Sequence, residues 1–250
     1  MCTMRLKYAE LSVIGPCPSN QDFVGFWQTP DSNTEEHLAI ALMADGVGSL
    51  GAGDIASRLA VETGLRVFQE SSPDMSLRQK VLEVVKAANW AVYDKGFEPG
   101  GPGHIATTLA LAAFDGDEMV VANVGDSRVY LVHRGIITQL SVDHSLVGLQ
   151  RRFGHITEAE SRMSEYRHLI TRGLGIDPQV KADMDSTKVF PGDRVVLCTD
   201  GLHGCVAENE IVSIVQHLEP VIACRQLVTL AERRDTQDNT SVQVIEVLPP

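Results

Sequence analysis

At 250 residues, with 44% hydrophobic and 22% charged side chains, the chain has the composition of an ordinary globular protein rather than a disordered one. Its formal net charge of −12 opposes nucleic acid or an anionic membrane as partner, and an anionic substrate would need a metal ion or a local arginine to reverse that field. The N-terminus has no signal-peptide pattern and the densest apolar run, Leu38–Ala44, is far too short to cross a bilayer, so a soluble, cytoplasmic protein is expected; a monomer is expected as well.

Strand-like runs open the chain at Tyr8–Gly15, Phe23–Gln28 and Leu38–Ala44. Two helices follow. Ile55, Leu59, Leu65 and Phe68 share one face of the first, and Leu77, Val81, Val84, Val85, Ala88 and Val92 share one face of the second. Pro73-Asp74 separates them and the glycine-rich stretch Gly96–Gly103 ends the pair. A meander comes next, with short strands at Thr107–Phe114, Met119–Val124, Arg128–Val132 and Ile136–Leu140. Asp115-Gly116 and Arg134-Gly135 supply turn chemistry for two of the joins. Several of these runs are apolar on both alternating faces, as a sheet covered on both sides requires. A polar, helix-prone insert runs over Leu146–Glu165, before strands at Gln179–Val189 and Arg194–Cys198. Helices at Glu208–His217 and Val221–Arg234 precede a last strand, Ser241–Val247. This order predicts two stacked sheets with helices outside both, in one domain spanning 1–250.

Five cysteines (Cys2, Cys17, Cys198, Cys205, Cys224) make an odd set without metal-type spacing, and Cys198 reads as a small buried apolar residue. The chemistry lies in aspartates. Asp45, Asp200 and Asp238 each sit where an apolar strand-like run stops or is about to start. Strand ends hold oxygen ligands rigidly, and hard divalent cations such as magnesium and manganese prefer such ligands. Taken singly, Asp45-Gly46 would merely turn a hairpin, Gly125-Asp126-Ser127-Arg128 would bend the meander and Asp238-Asn239 would be a loop.

Eight short motifs occur in order: Asn20-Gln21-Asp22-Phe23, Ala44-Asp45-Gly46-Val47-Gly48, Ala106-Thr107-Thr108, Gly125-Asp126-Ser127-Arg128, Asp143-His144-Ser145, Leu169-Ile170-Thr171-Arg172-Gly173-Leu174-Gly175, Thr199-Asp200-Gly201-Leu202 and Asp238-Asn239-Thr240-Ser241. Together they resemble the metal-dependent serine/threonine phosphatases of the PP2C type in their compact bacterial form, over about residues 10–247. The resemblance implies an α+β, four-layer αββα sandwich of two antiparallel sheets. It also implies two core Mn2+ or Mg2+ ions. Asp45 would bridge them, with the Gly46 carbonyl on one and Asp200 and Asp238 completing the shell of the other; Asp126 with Asp200 would hold a weaker third, beside a flap at about 146–167. Asp22 would orient metal-bound water, and Gln21 stands where a glutamate is commoner. Asp45, Asp200, Asp238 and Asp22 are thus the catalytic candidates. Two dications ~4 Å apart repel by about 16 kcal/mol at an effective dielectric of 20, which the bridging and terminal carboxylates must offset.

Two departures concern substrate. Cys17 stands where the family carries a phosphate-clamping arginine, and a thiol cannot supply a guanidinium fork; Arg172 and Arg5 are candidate replacements. Val47 stands where animal relatives have a proton-donating histidine, and His144 and His203 read as packed or surface residues. Thr107 and Thr108 read as strand residues fixing local hydrogen bonds. The expected function is hydrolysis of phosphoserine and phosphothreonine in proteins, opposite a cognate kinase. The alternatives are a weakly active or inactive module that binds phosphoproteins, and a partner-switching phosphatase for an anti-sigma-factor antagonist; type VI secretion control is one further context the family offers.

Overall fold

The computed structural model describes residues 5–30, 37–47, 52–99 and 101–249; Cys2, and Gly48 of the first aspartate motif, lie outside them. Strands β1 (Arg5–Val13), β2 (Asp22–Gln28) and β3 (Leu38–Asp45) lead into helices α1 (Gly53–Gln69) and α2 (Leu77–Phe97). The meander is β4 (Leu109–Asp115), β5 (Glu118–Val124), β6 (Arg128–His133) and β7 (Ile136–Gln139). Short helices α3 (Leu146–Arg152) and α4 (Glu158–Met163) precede β8 (Asp183–Lys188) and β9 (Arg194–Cys198). Helices α5 (Asp200–His203), α6 (Glu208–Val215) and α7 (Pro220–Arg233) then lead to β10 (Thr240–Leu248).

The strands form two five-stranded antiparallel sheets, ordered β1-β10-β9-β6-β7 and β2-β3-β4-β5-β8. Runs apolar on both alternating faces are explained by layer. In β3, Ile40, Leu42 and Ala44 pack on α1 and α2, whereas Ala39, Ala41 and Met43 face the other sheet. In β9, Val196 and Cys198 pack towards α6 and α7, whereas Val195 and Leu197 face inward. The layers are therefore α, β, β, α, as expected. Two tight turns also use their expected residues: Arg134 and Gly135 both have positive φ (49° and 79°), the pair a type I′ turn needs. The other turn is shifted by one residue: Gly116 (φ 56°) and Asp117 make it, and Asp115 stays in β4.

Three expectations need correction. β1 ends at Val13, before Gly15. In α1, Ile55 is exposed and Leu59 only half-buried; the buried face is Gly53, Ala56, Ser57, Ala60, Val61, Gly64 and Phe68. Large apolar residues mark a helix face only where the neighbour leaves room for them, and here close approach through small residues decides. Residues 179–182 are not strand: Asn89 of α2 donates its amide to the Asp177 and Pro178 carbonyls, and pairing with β5 begins only at Asp183.

Gly64 shows how tight the α1 contact is, since a Cβ there would lie 2.6 Å from Leu42 Cδ2 and 3.2 Å from Val84 Cγ1. Gly64→Val is expected to lower unfolding free energy by about 1–3 kcal/mol through overpacking, measured by urea denaturation. A neutral result would mean that α1 does not pack as described.

Candidate metal centre

The site is built where the two sheets end together. Asp22 opens β2 and Asp45 closes β3, and the antiparallel register pairs them directly. Asp200 begins α5 two residues after β9, and Asp238 lies two residues before β10, the neighbour of β9. Asp126 lies in the link from β5 to β6, where the chain leaves one sheet for the other. Glycine permits two close approaches. A Cβ on Gly46 would overlap the Gly53 carbonyl, and one on Gly201 would overlap the Asn239 carbonyl, so α1 and the Asp238 loop could not close on the site.

Neighbouring side chains hold the segments that carry Asp45, Asp126 and Asp238, and the carboxylate of Asp22 itself. Thr107 Oγ1 and the Thr108 amide donate to the Asp45 carbonyl (2.8 Å each), and the Asp45 amide donates to Thr108 Oγ1 (2.9 Å). Thr108 Oγ1 also shares a 2.8 Å bond with Ser127 Oγ, tying the Asp126 turn to Asp45. Asp22 joins the sheets: its Oδ2 accepts from Thr199 Oγ1 (3.0 Å) and Ser241 Oγ (2.7 Å). His203 Nε2 donates to the Asp126 carbonyl at 3.0 Å. Asn239 accepts from the Gln21 amide and donates to the Ile14 and Ser19 carbonyls, closing the 14–21 loop beside Asp238. Gln21 enters this network by its main chain, and its side chain lies against Gly53.

Five carboxyl groups thus meet with little countercharge. Burial, and then mutual repulsion, push Asp45 and Asp126 well above the ordinary carboxyl range and Asp22 up to about 7; Asp238 is raised by the same two causes. Burial opposes ionisation of Asp200 too, but hydrogen bonds from His168 and Asp45 hold it below its ordinary value. Asp22 Oδ1 and Asp200 Oδ1 are buried without a hydrogen-bond partner. Orphaned acceptors among crowded carboxyl groups are a set that cations could satisfy. Oxygen donors are what hard divalent ions take. The cysteines do not compete for this role. Burial pushes Cys198 and Cys224 up to about 12, and burial with the Asp238 charge raises the Cys17 thiol.

Asp126, Asp200 and Asp238 line a cleft of about 340 Å³ whose other wall is the α3–α4 segment. A ladder of alternating charge ties that segment to the sheet. Arg128 Nη2 reaches Asp143 at 2.6 Å, Arg151 bridges Asp143 and Glu158, and Arg162 pairs with Glu158. Arg128 and Asp143 are both almost fully buried, and removing one partner of such a pair typically costs about 3–5 kcal/mol. Asp143 is therefore the anchor of the segment, and Ser145 caps α3. His144 is packed, accepting from the Gly125 amide. His168 was not singled out by any motif. It donates from Nδ1 to Asp200 Oδ2 at 3.1 Å and lies 4.0 Å from Asp238 Oδ2, which raises its pKa. Only folding places it there; no spacing in the sequence marks it.

Neither arginine expected to replace the missing clamp is at the cleft. Arg172 is spent on His144, the Lys181 carbonyl and Asp183. Arg5 starts β1, at the end opposite Val13, which pairs with Thr240 beside the site.

Residues 18–235 match the family model for protein phosphatase 2C. A putative protein phosphatase 2C-type from Streptococcus pyogenes is 30% identical over 230 residues, covering 91% of both chains. The serine/threonine protein phosphatase PstP of Mycobacterium tuberculosis is 32% identical over 247 residues, 98% of this chain but 46% of that protein. The chain belongs to the protein phosphatase 2C family. The crystal structure of the PstP catalytic domain in complex with two manganese ions superposes with a TM-score of 0.85 at 29% identity, covering 98% of this chain and 100% of that one.

In this 2C-type chain Cys17 falls just outside the matched region, yet its Sγ lies 3.9 Å from Asp238 Oδ1, so the substituted position faces the site. Because carboxyl groups with raised pKa must lose protons to bind cations, stabilisation by manganese should grow with pH. We expect the rise in melting temperature on adding Mn2+ to be small near pH 5 and to increase through pH 7, the region to which burial pushes Asp22 up. Scanning calorimetry across that range checks it; a rise independent of pH would contradict the electrostatic description.

Proposed function

We propose that this chain hydrolyses phosphoserine and phosphothreonine esters of proteins by direct attack of water, with no covalent phosphoenzyme. It is a metal-dependent protein serine/threonine phosphatase by family, and one observation supports the mechanism most: Asp22, Asp45, Asp126, Asp200 and Asp238 gather within electrostatic reach of one another, with Asp22 Oδ1 and Asp200 Oδ1 buried and unpartnered. Asp45, the Gly46 carbonyl, Asp200 and Asp238 would hold two core ions, Mn2+ or Mg2+, and Asp126 with Asp200 a weaker third. When bound, such ions supply charge for the phosphoryl oxygens and acidify a water for attack at neutral pH.

The chain's own groups do the rest. Thr107 and Thr108 fix Asp45, and Thr199 and Ser241 fix Asp22 so that its free oxygen serves the water side of the site, with Gln21 as a further water partner. Val47 offers no proton to the leaving alkoxide. The 146–167 flap walls the cleft and selects substrate, as loops beside rigid sites do. Among the described residues the cysteines, Cys17, Cys198, Cys205 and Cys224, are free thiols, which fits the reducing cytoplasm. No helix among the described residues is long and apolar enough to cross a membrane. In this reading the chain acts as a monomer opposite a cognate serine/threonine kinase.

Cys17 beside Asp238 favours one second reading, a weakly active module that binds phosphoproteins. Asp200→Ala and Asp238→Ala separate the two. Each is expected to abolish manganese-dependent hydrolysis of a phosphothreonine peptide with circular dichroism unchanged. Undiminished turnover would refute the assignment, and a wild type that binds the peptide without turnover would establish the second reading.

A further inference from the structure

A second groove, of about 410 Å³, opens beside the metal-centre cleft, and the two share Asp235, Thr236 and Gln237. One wall is apolar: Ile14, 45% exposed, and Pro16, both on the 14–21 loop. The other is acidic, with Glu232 from the end of α7 and then Asp235. Both acids are exposed, and neither has a cationic partner among the described residues. The nearest cations in sequence do not serve them: Arg234 is spent on Glu210 and the Cys205 carbonyl, and Arg233 lines a separate groove with Ile214 and Ile222. The two walls are fastened together where the grooves meet. Cys17 Sγ donates to the Gln237 carbonyl (3.6 Å), and Asn239 donates to the Ile14 carbonyl (2.7 Å). Three residues of chain separate Asp235 from Asp238, a span of at most about 11 Å.

We propose that this groove is the subsite for a lysine or arginine of the substrate protein, placed one to three residues from the phosphorylated serine or threonine. With the phosphoester at the aspartate cluster, the adjoining extended chain advances about 3.3–3.6 Å per residue, which carries such a side chain into the groove. Its aliphatic stem lies along Ile14 and Pro16 while its charged head reaches Glu232 and Asp235, the usual division of a long basic side chain into apolar body and charged tip. The same acids repel a substrate whose flanking residues are acidic. A net charge of −12 draws in a basic segment from a distance, and the groove then reads it at close range. Ile14, Glu232 and Asp235 thus determine specificity without touching ions or phosphate.

The proposal rests on the phosphatase reading, and the experiment separates the two. The Mn2+-loaded protein is given two phosphothreonine peptides, identical except that lysine or glutamine stands two places before and after the phosphothreonine. We expect kcat/KM to be about 3- to 10-fold higher for the lysine peptide, the range of one or two exposed ion pairs, and the preference to shrink with added salt. Glu232→Gln combined with Asp235→Asn should bring the ratio close to one. The glutamine peptide and p-nitrophenyl phosphate, too small to reach the groove, should be turned over as by wild type. Asparagine suits the left-handed backbone at position 235 (φ 56°), so the variant keeps its loop. Equal kcat/KM for the two peptides in wild type, a preference that survives in the double variant, or an equal loss on all three substrates would overturn the proposal. If wild type hydrolyses none of the three, the catalytic reading falls and fluorescence anisotropy of the same peptides decides the subsite. Tighter binding of the lysine peptide, abolished in the double variant, upholds it; equal binding of both peptides overturns it.

Discussion

Asp22 and Asp45 face each other because β2 and β3 pair in that register, and the same end of the other sheet delivers Asp200 and Asp238 to them. Repulsion among these carboxylates is the constraint on which the surrounding structure turns. A fold would not gather these acids without reason, since Asp22, Asp45 and Asp238 resist ionising there and only Asp200 is held below its ordinary value. The supporting contacts make sense as the means of holding them: Thr107 and Thr108 behind Asp45, Thr199 and Ser241 on Asp22, His203 behind Asp126, and Asn239 closing the loop at Asp238. The hydroxyls and amides are neutral donors or are spent on main chain, so the net negative charge is left for cations to balance.

The layered fold was largely legible in the chain because its signal is apolar periodicity, and β3, β4, β5 and β9 are apolar on both faces for a reason the two-sheet architecture supplies. The motif aspartates were legible because their identity and order are specific even where each alone is weak. What escaped reading depends on packing distance or on contacts far apart in sequence. The α1 face runs through Gly53, Ala60 and Gly64, which no hydrophobicity pattern ranks above Ile55. The stretch before Asp183 looked extended but is held by Asn89, 88 residues away from Asp177 in the chain. His168 reaches Asp200 from a segment with no periodic or motif character, and Arg172 carries the right charge in a motif but is spent elsewhere.

Charge on the two walls of the cleft is divided unequally. The sheet side is rigid and acidic, while the flap side carries Arg151, Arg162, Arg167 and His168. The ladder from Arg128 through Asp143, Arg151 and Glu158 to Arg162 uses most of that positive charge to fasten the flap.

Whether the acidic cluster holds a pair of ions is decided most directly by electron paramagnetic resonance during manganese titration. Two ions roughly 4 Å apart and bridged by one carboxylate should give a spin-coupled signal, which Asp45→Asn should replace by the spectrum of isolated Mn2+. An uncoupled six-line spectrum in the wild type at every manganese loading would contradict the account at its base.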